Sequence, residues 1–316
     1  MKKKILITDA VHQVLLDGFQ NADFDCHYEP DITYNEVIQR ITDYEGLIIN
    51  SKILVDATFL DKASKLEFVA RLGSGREVVD IPYAESKAIK VYFSPEGNSN
   101  AVAEHALGML LAFANNLLRA DREVRQKIWQ REANRGFELR GKTIGLIGFG
   151  HTGSAFAKKL SAMEMNILSY DKYKNNYTDS DFAYIKEVDL ATLQKEADII
   201  SFHLPLTPET KHYCDADFLN TCKKGVIILN TSRGNVVKTE DLLEALRNKT
   251  IGGACLDVFE NERVTTFSES ETNLYEQLYQ SENVVLSPHI AGWTKESKYL
   301  LGKILLDKIL FGINKS

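Results

Sequence analysis

Short runs that are apolar throughout alternate along the chain with segments whose apolar positions recur at helical spacing, and this alternation predicts the elements. Over the first ninety or so residues, Lys4 to Thr8 reads as a strand, Ala10 to Ala22 as a helix, and Thr33 to Thr42 as a helix introduced by Thr33. Gly46 to Ile49 follows as a buried strand, Asp56 to Ala63 as a helix, and Glu67 to Leu72 and Lys90 to Phe93 as strands. Strands without polar alternation are covered on both faces, so the repeat implies a parallel sheet packed between helices.

A turn-rich junction, Ser94 to Asn100, precedes a segment expected as one long helix, Ala101 to Val124, with a nearly continuous apolar middle from Ala106 to Ala114. That middle is too short for a membrane span and predicts burial between domains or at a subunit interface, with a homodimer favoured. Beyond it the strand–helix pattern resumes. Ile144 to Ile147, Asn166 to Tyr170, Asp198 to His203, Gly225 to Asn230, Gly253 to Asp257 and Asn283 to Ser287 read as strands. Ala155 to Met163, Lys238 to Asn248 and Lys298 to Leu310 read as helices, the last expected to return to the first domain. The division predicted is residues 1–97 plus 290–316 as a substrate-binding domain and residues 98–289 as a nucleotide-binding domain.

Composition narrows the classes. The 316 residues suffice for two cores, and a formal net charge of −6 argues against a broad nucleic-acid footprint. Lys2-Lys3-Lys4 is followed by only Ile5-Leu6-Ile7 before Thr8-Asp9, a strand rather than a signal peptide, and no run approaches a membrane span, so a cytoplasmic location is expected. Cys26, Cys214, Cys222 and Cys255 lack paired metal-ligand spacing even with His203 and His212 nearby, which predicts free thiols and no metal.

The chemistry begins at Gly148-Phe149-Gly150-His151-Thr152-Gly153, directly after Ile144 to Ile147. Gly148 allows a tight turn off a strand, Gly150 a close backbone approach to a pyrophosphate, and Gly153 close packing of the next helix, whose free amides favour phosphate. Asp171, at the end of the next strand, is placed to accept from both ribose hydroxyls and to repel a 2′-phosphate, which favours NAD over NADP. Lys172 beside it weakens that exclusion. In a parallel sheet the strand ends face the ligand, and three further candidates sit just past strands. Arg233 offers a planar donor fork for an anion, and His289 a group that exchanges protons near neutrality. Glu262 can bond the second nitrogen of that ring and fix its tautomer.

Thr231-Ser232-Arg233-Gly234, Leu256-Asp257-Val258-Phe259-Glu260 with Glu262, and Ser287-Pro288-His289-Ile290-Ala291-Gly292 resemble the three signatures of the NAD-dependent D-isomer-specific 2-hydroxyacid dehydrogenases. The glycine segment, His203-Leu204-Pro205-Leu206-Thr207, Gly73-Ser74-Gly75 and Val102-Ala103-Glu104-His105 are similar to the same family, over roughly Phe68 to Leu301. The resemblance implies an α/β fold of two Rossmann-like domains with parallel sheets, the first flavodoxin-like, a cleft between them, and a dimer through the cofactor domain. It implies that Arg233 binds the substrate carboxylate and keto oxygen, that His289 is the acid or base paired with Glu262, and that Ser74 and Gly75 offer amides to the carboxylate. The cofactor side would comprise Gly148 to Gly153, Asp171, His203, Leu204, Pro205, Thr210, Thr231, Ser232, Asp257, His289 and Gly292. The partners implied are NAD and a small 2-keto or 2-hydroxy acid.

Two departures bear on the substrate. Glu77-Val78 stands where the family often has Asp-Asn, and Arg263 replaces a usual proline ahead of a longer polar segment, Val264 to Gln277. Arg71, Arg76 or Lys52 could meet a second anion such as a phosphate, which places a phosphoglycerate dehydrogenase-like activity slightly ahead of a glyoxylate or hydroxypyruvate reductase. The end at Ser316 leaves no room for a regulatory domain, so serine feedback through one is not expected. A non-catalytic, NAD-sensing corepressor-like interaction module is the alternative of a different class.

Overall fold

The computed structural model describes residues 2–178 and 180–314. They form two compact units, one running to Ser99 and taking in the chain again from Trp293, the other Asn100–Gly292.

In the first unit β1 (Lys4–Ile7), α1 (Gln13–Asn21), β2 (Asp25–Tyr28), α2 (Tyr34–Arg40), β3 (Gly46–Ile49), α3 (Ala57–Lys62), β4 (Phe68–Arg71), α4 (Ile81–Ser86) and β5 (Lys90–Phe93) succeed one another. The strands form a parallel sheet in the order β2-β1-β3-β4-β5. The inner strands are buried on both faces, and their apolar positions divide between the two: Leu6, Leu47, Ile49 and Val69 join one core cluster, and Ile5, Ile7, Ile48 and Phe68 the other. The second cluster is closed by Leu15 and Phe19 of α1 and by Leu305, Leu306 and Ile309 of the C-terminal helix Lys295–Asn314.

Several elements differ from expectation for local reasons. The helix after β1 begins only at Gln13, because the His12 side chain accepts from the Val14 amide and caps it there. Thr33 is the cap of α2, in a reciprocal box with Glu36, rather than a helical residue. The strand β2 was not predicted: it is an edge strand of half-exposed, largely polar residues, without the apolar run that marked the others.

The second unit opens with the segment predicted as one helix, which is two: α5 (Ser99–Ala114) and α6 (Leu117–Arg125), bent by 63°. Asn116 adopts a left-handed φ of 52° at the break, a conformation asparagine tolerates better than most residues. The Ala114 carbonyl is taken at 2.9 Å by the Phe137 amide instead of continuing the helix. Among the described residues no single helix is long and apolar enough to cross a membrane.

There follow β6 (Thr143–Ile147), α7 (His151–Leu160), β7 (Asn166–Tyr170), β8 (Ile185–Glu187), α8 (Leu190–Glu196) and β9 (Ile199–Phe202). The unit is completed by α9 (Ala216–Thr221), β10 (Val226–Asn230), α10 (Thr239–Arg247), β11 (Ile251–Leu256), α11 (Glu269–Tyr279) and β12 (Val284–Leu286). The parallel order β12-β11-β10-β9-β6-β7-β8 is that of a doubly wound sheet, reversing between β6 and β9, where such sheets bind ligands beyond the strand ends. The register aligns Ile147, Phe202, Asn230, Leu256 and Leu286 across five neighbouring strands. Gly148, His203, Thr231, Asp257 and Ser287 therefore stand one residue beyond a common edge. The segment Val264 to Gln277, expected only to be long and polar, takes in most of α11, capped by Ser268 in a reciprocal box with Glu271.

Candidate active site

The site is assembled along this common edge. Gly148 turns the chain off β6 at φ 94°, and a Cβ there would lie 2.5 Å from the His203 carbonyl oxygen of the adjacent strand end. A Cβ on Gly153 would overlap the Gly148 carbonyl, so α7 sits against the turn only because Gly153 has no side chain. Gly150 caps α7 with no side-chain hydrogen bond, and a Cβ there would meet open space. His151 and Thr152 follow in the first turn of α7.

Asp171, one residue past β7, is bound into this turn: its carboxylate accepts from the Phe149 amide at 2.8 Å and from the Tyr173 amide at 3.0 Å. The Phe149 carbonyl accepts from Lys174 Nζ at 2.6 Å. Lys172 is engaged by Glu209, which the Tyr173 hydroxyl also reaches.

At the neighbouring strand end, His203 Nε2 lies 2.9 Å from Ser201 Oγ. Its Nδ1 is buried without a protein partner, as is Thr231 Oγ1 at the end of β10. Burial pushes the His203 pKa down to about 4, so the ring is neutral near pH 7. Leu204 and Pro205 continue from it, and Thr210 staples this loop, donating to the Pro205 carbonyl at 2.6 Å and accepting from the Thr207 amide at 2.8 Å. Buried polar atoms are normally satisfied, so two orphans at one sheet edge, beside an uncapped helix start and an open glycine, fit a bound dinucleotide.

The next turn depends on Asn230, fully buried at the end of β10. Its side-chain oxygen accepts from the Ser232 amide at 3.0 Å and hydroxyl at 2.8 Å, and its Nδ2 donates to the Arg233 carbonyl at 2.9 Å. Arg233 is thereby held in extended backbone, half-buried, with Nη1 donating to the Ser232 carbonyl at 2.8 Å. Gly234 lets this turn pass the Phe259 backbone, whose carbonyl a Cβ would overlap.

Past β11, Asp257 is fully buried and organises the last turn. It accepts from Ser287 Oγ at 2.6 Å, from the Ile290 amide at 2.9 Å and from the Ala291 amide at 2.8 Å, while its own carbonyl accepts from the His289 amide at 2.7 Å. Burial alone would raise its pKa, but the hydrogen bonds from His105, Ser287 and the two amides outweigh it and hold the carboxyl below the usual range. His289 sits in this turn at a left-handed φ of 56°. Its Nδ1 lies 2.8 Å from Glu262 Oε2, with side-chain exposures of 47% and 39%, so the pair is accessible to a small molecule. Gly292 closes the segment.

In the first unit Ser74 and Gly75 follow β4, Ser74 exposed and Gly75 buried, in a loop where the Gly73 amide donates to Ser94 Oγ at 3.2 Å. Arg71 Nε donates to the Asn50 carbonyl at 3.3 Å, Lys52 Nζ to the Pro30 carbonyl at 2.6 Å, and the Arg76 guanidinium lies 5.4 Å from the centre of the Phe93 ring.

Sequence reasoning gave no role to Asn230, or to Ser287 and His105 within quoted motifs. Each is a polar residue at the end of an apolar strand or inside an apolar helix, a signal present in the sequence.

The chain matches the model of the D-isomer specific 2-hydroxyacid dehydrogenase NAD binding domain over residues 107–291. It is 38% identical to a hydroxypyruvate reductase of Thermotoga maritima, covering 90% of this chain and 88% of that one. It is 33% identical to a D-3-phosphoglycerate dehydrogenase of Archaeoglobus fulgidus over 97% of this chain, which spans only 56% of that longer relative. Among solved structures, D-lactate dehydrogenase of Aquifex aeolicus, complexed with NAD and lactic acid, superposes with a TM-score of 0.84 at 25% identity over 99% of this chain and 96% of that one. With the motifs standing at the strand ends of a doubly wound sheet, the chain belongs to the D-isomer-specific 2-hydroxyacid dehydrogenase family, built on an NAD-binding oxidoreductase fold.

Proposed function

We propose that this protein is an NAD-dependent D-2-hydroxyacid dehydrogenase. The observation that carries the reading is the accessible His289–Glu262 pair, 2.8 Å apart, on the same sheet edge as the glycine turn. Bound NAD supplies or accepts a hydride at C2 of the substrate. The chain's own residues do the rest: Arg233 binds the substrate carboxylate and keto oxygen and opposes charge developing on that oxygen. Glu262 holds Nδ1 of His289, which leaves Nε2 to give the proton to the C2 oxygen in reduction and to take it back in oxidation. Ser74 and Gly75 are assigned to the substrate carboxylate through their amides. Residues Gly148 to Gly153, Asp171, His203, Thr231 and Asp257 are assigned to the cofactor.

Within the class, D-3-phosphoglycerate is placed first, because Arg71 and Arg76 flank the Gly73 to Gly75 loop and could meet a phosphate. Hydroxypyruvate or glyoxylate is the second reading, favoured by the near full-length similarity to the Thermotoga reductase. A homodimer is proposed through the second unit, where Leu117, Leu118, Val124 and Trp129 are exposed, Trp129 at 78%. Light scattering of the purified chain tests it, and a monomeric mass overturns it. For the activity, loss of reduced-nicotinamide absorbance is followed with hydroxypyruvate, glyoxylate, pyruvate and 2-oxoglutarate, and its gain with D-3-phosphoglycerate. Turnover of a member of this panel is expected. Tight NAD binding without turnover of any would favour the interaction-module alternative.

A further inference from the structure

Asp257 has four side-chain hydrogen-bond or charge contacts, and one comes from an element remote in sequence. His105, on α5, places Nε2 2.8 Å from Ser287 Oγ and 3.5 Å from the Asp257 carboxylate. The hydroxyl of Ser287 has one proton, and at 2.6 Å it is given to Asp257. The serine oxygen must then accept from His105, which makes Nε2 the protonated nitrogen of that ring. Met109, one turn further along α5, places its sulfur 3.7 Å from the same hydroxyl and fills the other side. The relay thus runs from His105 through Ser287 to Asp257, and from Asp257 into the amides of Ile290 and Ala291 and, through its carbonyl, the amide of His289.

The turn needs such a support. His289 is held at φ 56°, a backbone conformation that disfavours residues with a Cβ, and it persists only where its surroundings fix it. A buried carboxylate fixes it well only while all its donors stay in place, since a half-satisfied buried charge is costly. We propose that His105 is a positioning residue for the reaction, acting through Ser287 and Asp257 to hold His289 against Glu262. The proposal rests on the dehydrogenase reading for its kinetic effect, but not for its effect on the turn itself.

Two variants separate positioning from mere packing. His105→Leu keeps bulk and removes the donor, whereas His105→Gln keeps an N–H at a similar reach. In His105→Leu, kcat for keto-acid reduction is expected to fall about tenfold or more, the cost of a small misplacement of the proton donor. His105→Gln recovers most of the turnover. Combining His105→Leu with Ser287→Ala should cost no more than the larger single change, because both cut one relay. In proton NMR the hydrogen-bonded Nδ1 proton of His289, assigned by its loss in His289→Asn, should disappear in His105→Leu and return in His105→Gln.

Wild-type kcat with an unaltered Nδ1 signal in His105→Leu overturns the proposal, as does a Gln variant as impaired as the Leu one. If the Leu variant does not fold, Ser287→Ala makes the same test. If the wild-type chain turns over no keto acid, the dehydrogenase reading fails while the Nδ1 signal still decides the role of His105.

Discussion

The two units are built alike yet finish their strands differently. Each is a parallel sheet with helices on both faces, and each ends several strands in polar residues. In the first unit those groups close on the backbone: Thr8 Oγ1 donates to Asp9 at 2.7 Å and lies 3.2 Å from the Ile48 carbonyl, Asp9 accepts from the Asn50 amide at 2.9 Å, and Arg71 donates to the Asn50 carbonyl. In the second, His203 Nδ1 and Thr231 Oγ1 are buried without a protein partner, and His289 and Glu262 face outward as a pair. The first unit's one such orphan among the described residues, Tyr92 Oη, packs against Gly312. The architecture alone therefore does not make a site. What makes one is a strand end whose polar groups are left for something else to satisfy.

The sharpest way to break this contrast is to remove one polar group from each edge. His289→Ala should lower kcat about a hundredfold to ten-thousandfold, the usual span for a lost general acid. Thr8→Val, at the end of β1, should leave kcat unchanged and cost about 1 kcal/mol of stability by denaturant titration. Near-normal turnover in the His289 variant would remove the acid/base assignment. A large kinetic effect of Thr8→Val would remove the contrast itself. Next in size, Arg233→Ala should reduce kcat/KM about a hundredfold to a thousandfold, in KM and kcat together, since the fork is assigned to substrate and to developing charge. A change in KM alone would restrict Arg233 to ground-state binding.

How far the sequence could be read follows the same division. A buried strand such as Gly46–Ile49 was legible to the residue, because burial on both faces demands an unbroken apolar run. The edge strands β2 and β8 were not, because one side of each is open and polar residues are tolerated there. The break at Asn116 was hidden by the apolar pattern on either side, and its cause, the Phe137 amide, lies about twenty residues on. At the site, the glycine turn and the pairing partners His289 and Glu262 were visible as motifs. The device that supports them was not, since Asp257 gathers groups from α5 and β12 that only the folded register brings to one point. Asp171 stands out in the sequence as the acidic end of a strand, but its hydrogen bonds from the Phe149 and Tyr173 amides are not announced by local sequence.

The second edge should also respond to acid. Burial lowers the His203 pKa from 6.5 to about 4, so between these values the unfolded chain binds a proton that the folded one does not. Stability of the dinucleotide-free protein should accordingly be flat above about pH 6.5 and fall below it, by up to about 1.4 kcal/mol per pH unit from this group, until about pH 4. Asp257, whose folded pKa is depressed, contributes stability that is fully present above its unfolded value and is lost only as pH falls further, so the two windows separate. Denaturant titrations across this range should show the upper window reduced in His203→Asn. An unchanged slope would mean that the ring is already reached by water or protons in the folded state.

The smallest expected effect tests the residue with two claims on it. Asp171→Ser should shift the NAD-to-NADP ratio of kcat/KM about tenfold toward NADP, roughly the 1.4 kcal/mol of a lost charge-assisted bond and relieved repulsion. The carboxylate also receives the Phe149 and Tyr173 amides, so the same change loosens the glycine turn that serves either dinucleotide. The two roles leave different marks: loss of the ribose contact falls on NAD, whereas loosening the turn lowers both cofactors in proportion. Asp171→Asn adds the control, since one of its two side-chain positions becomes a donor and can no longer accept an amide, while the negative charge that repels a 2′-phosphate is gone. A ratio unchanged in both variants, with both cofactors weakened, would make Asp171 the counterpart of Asp9, a carboxylate that closes its own backbone and selects nothing.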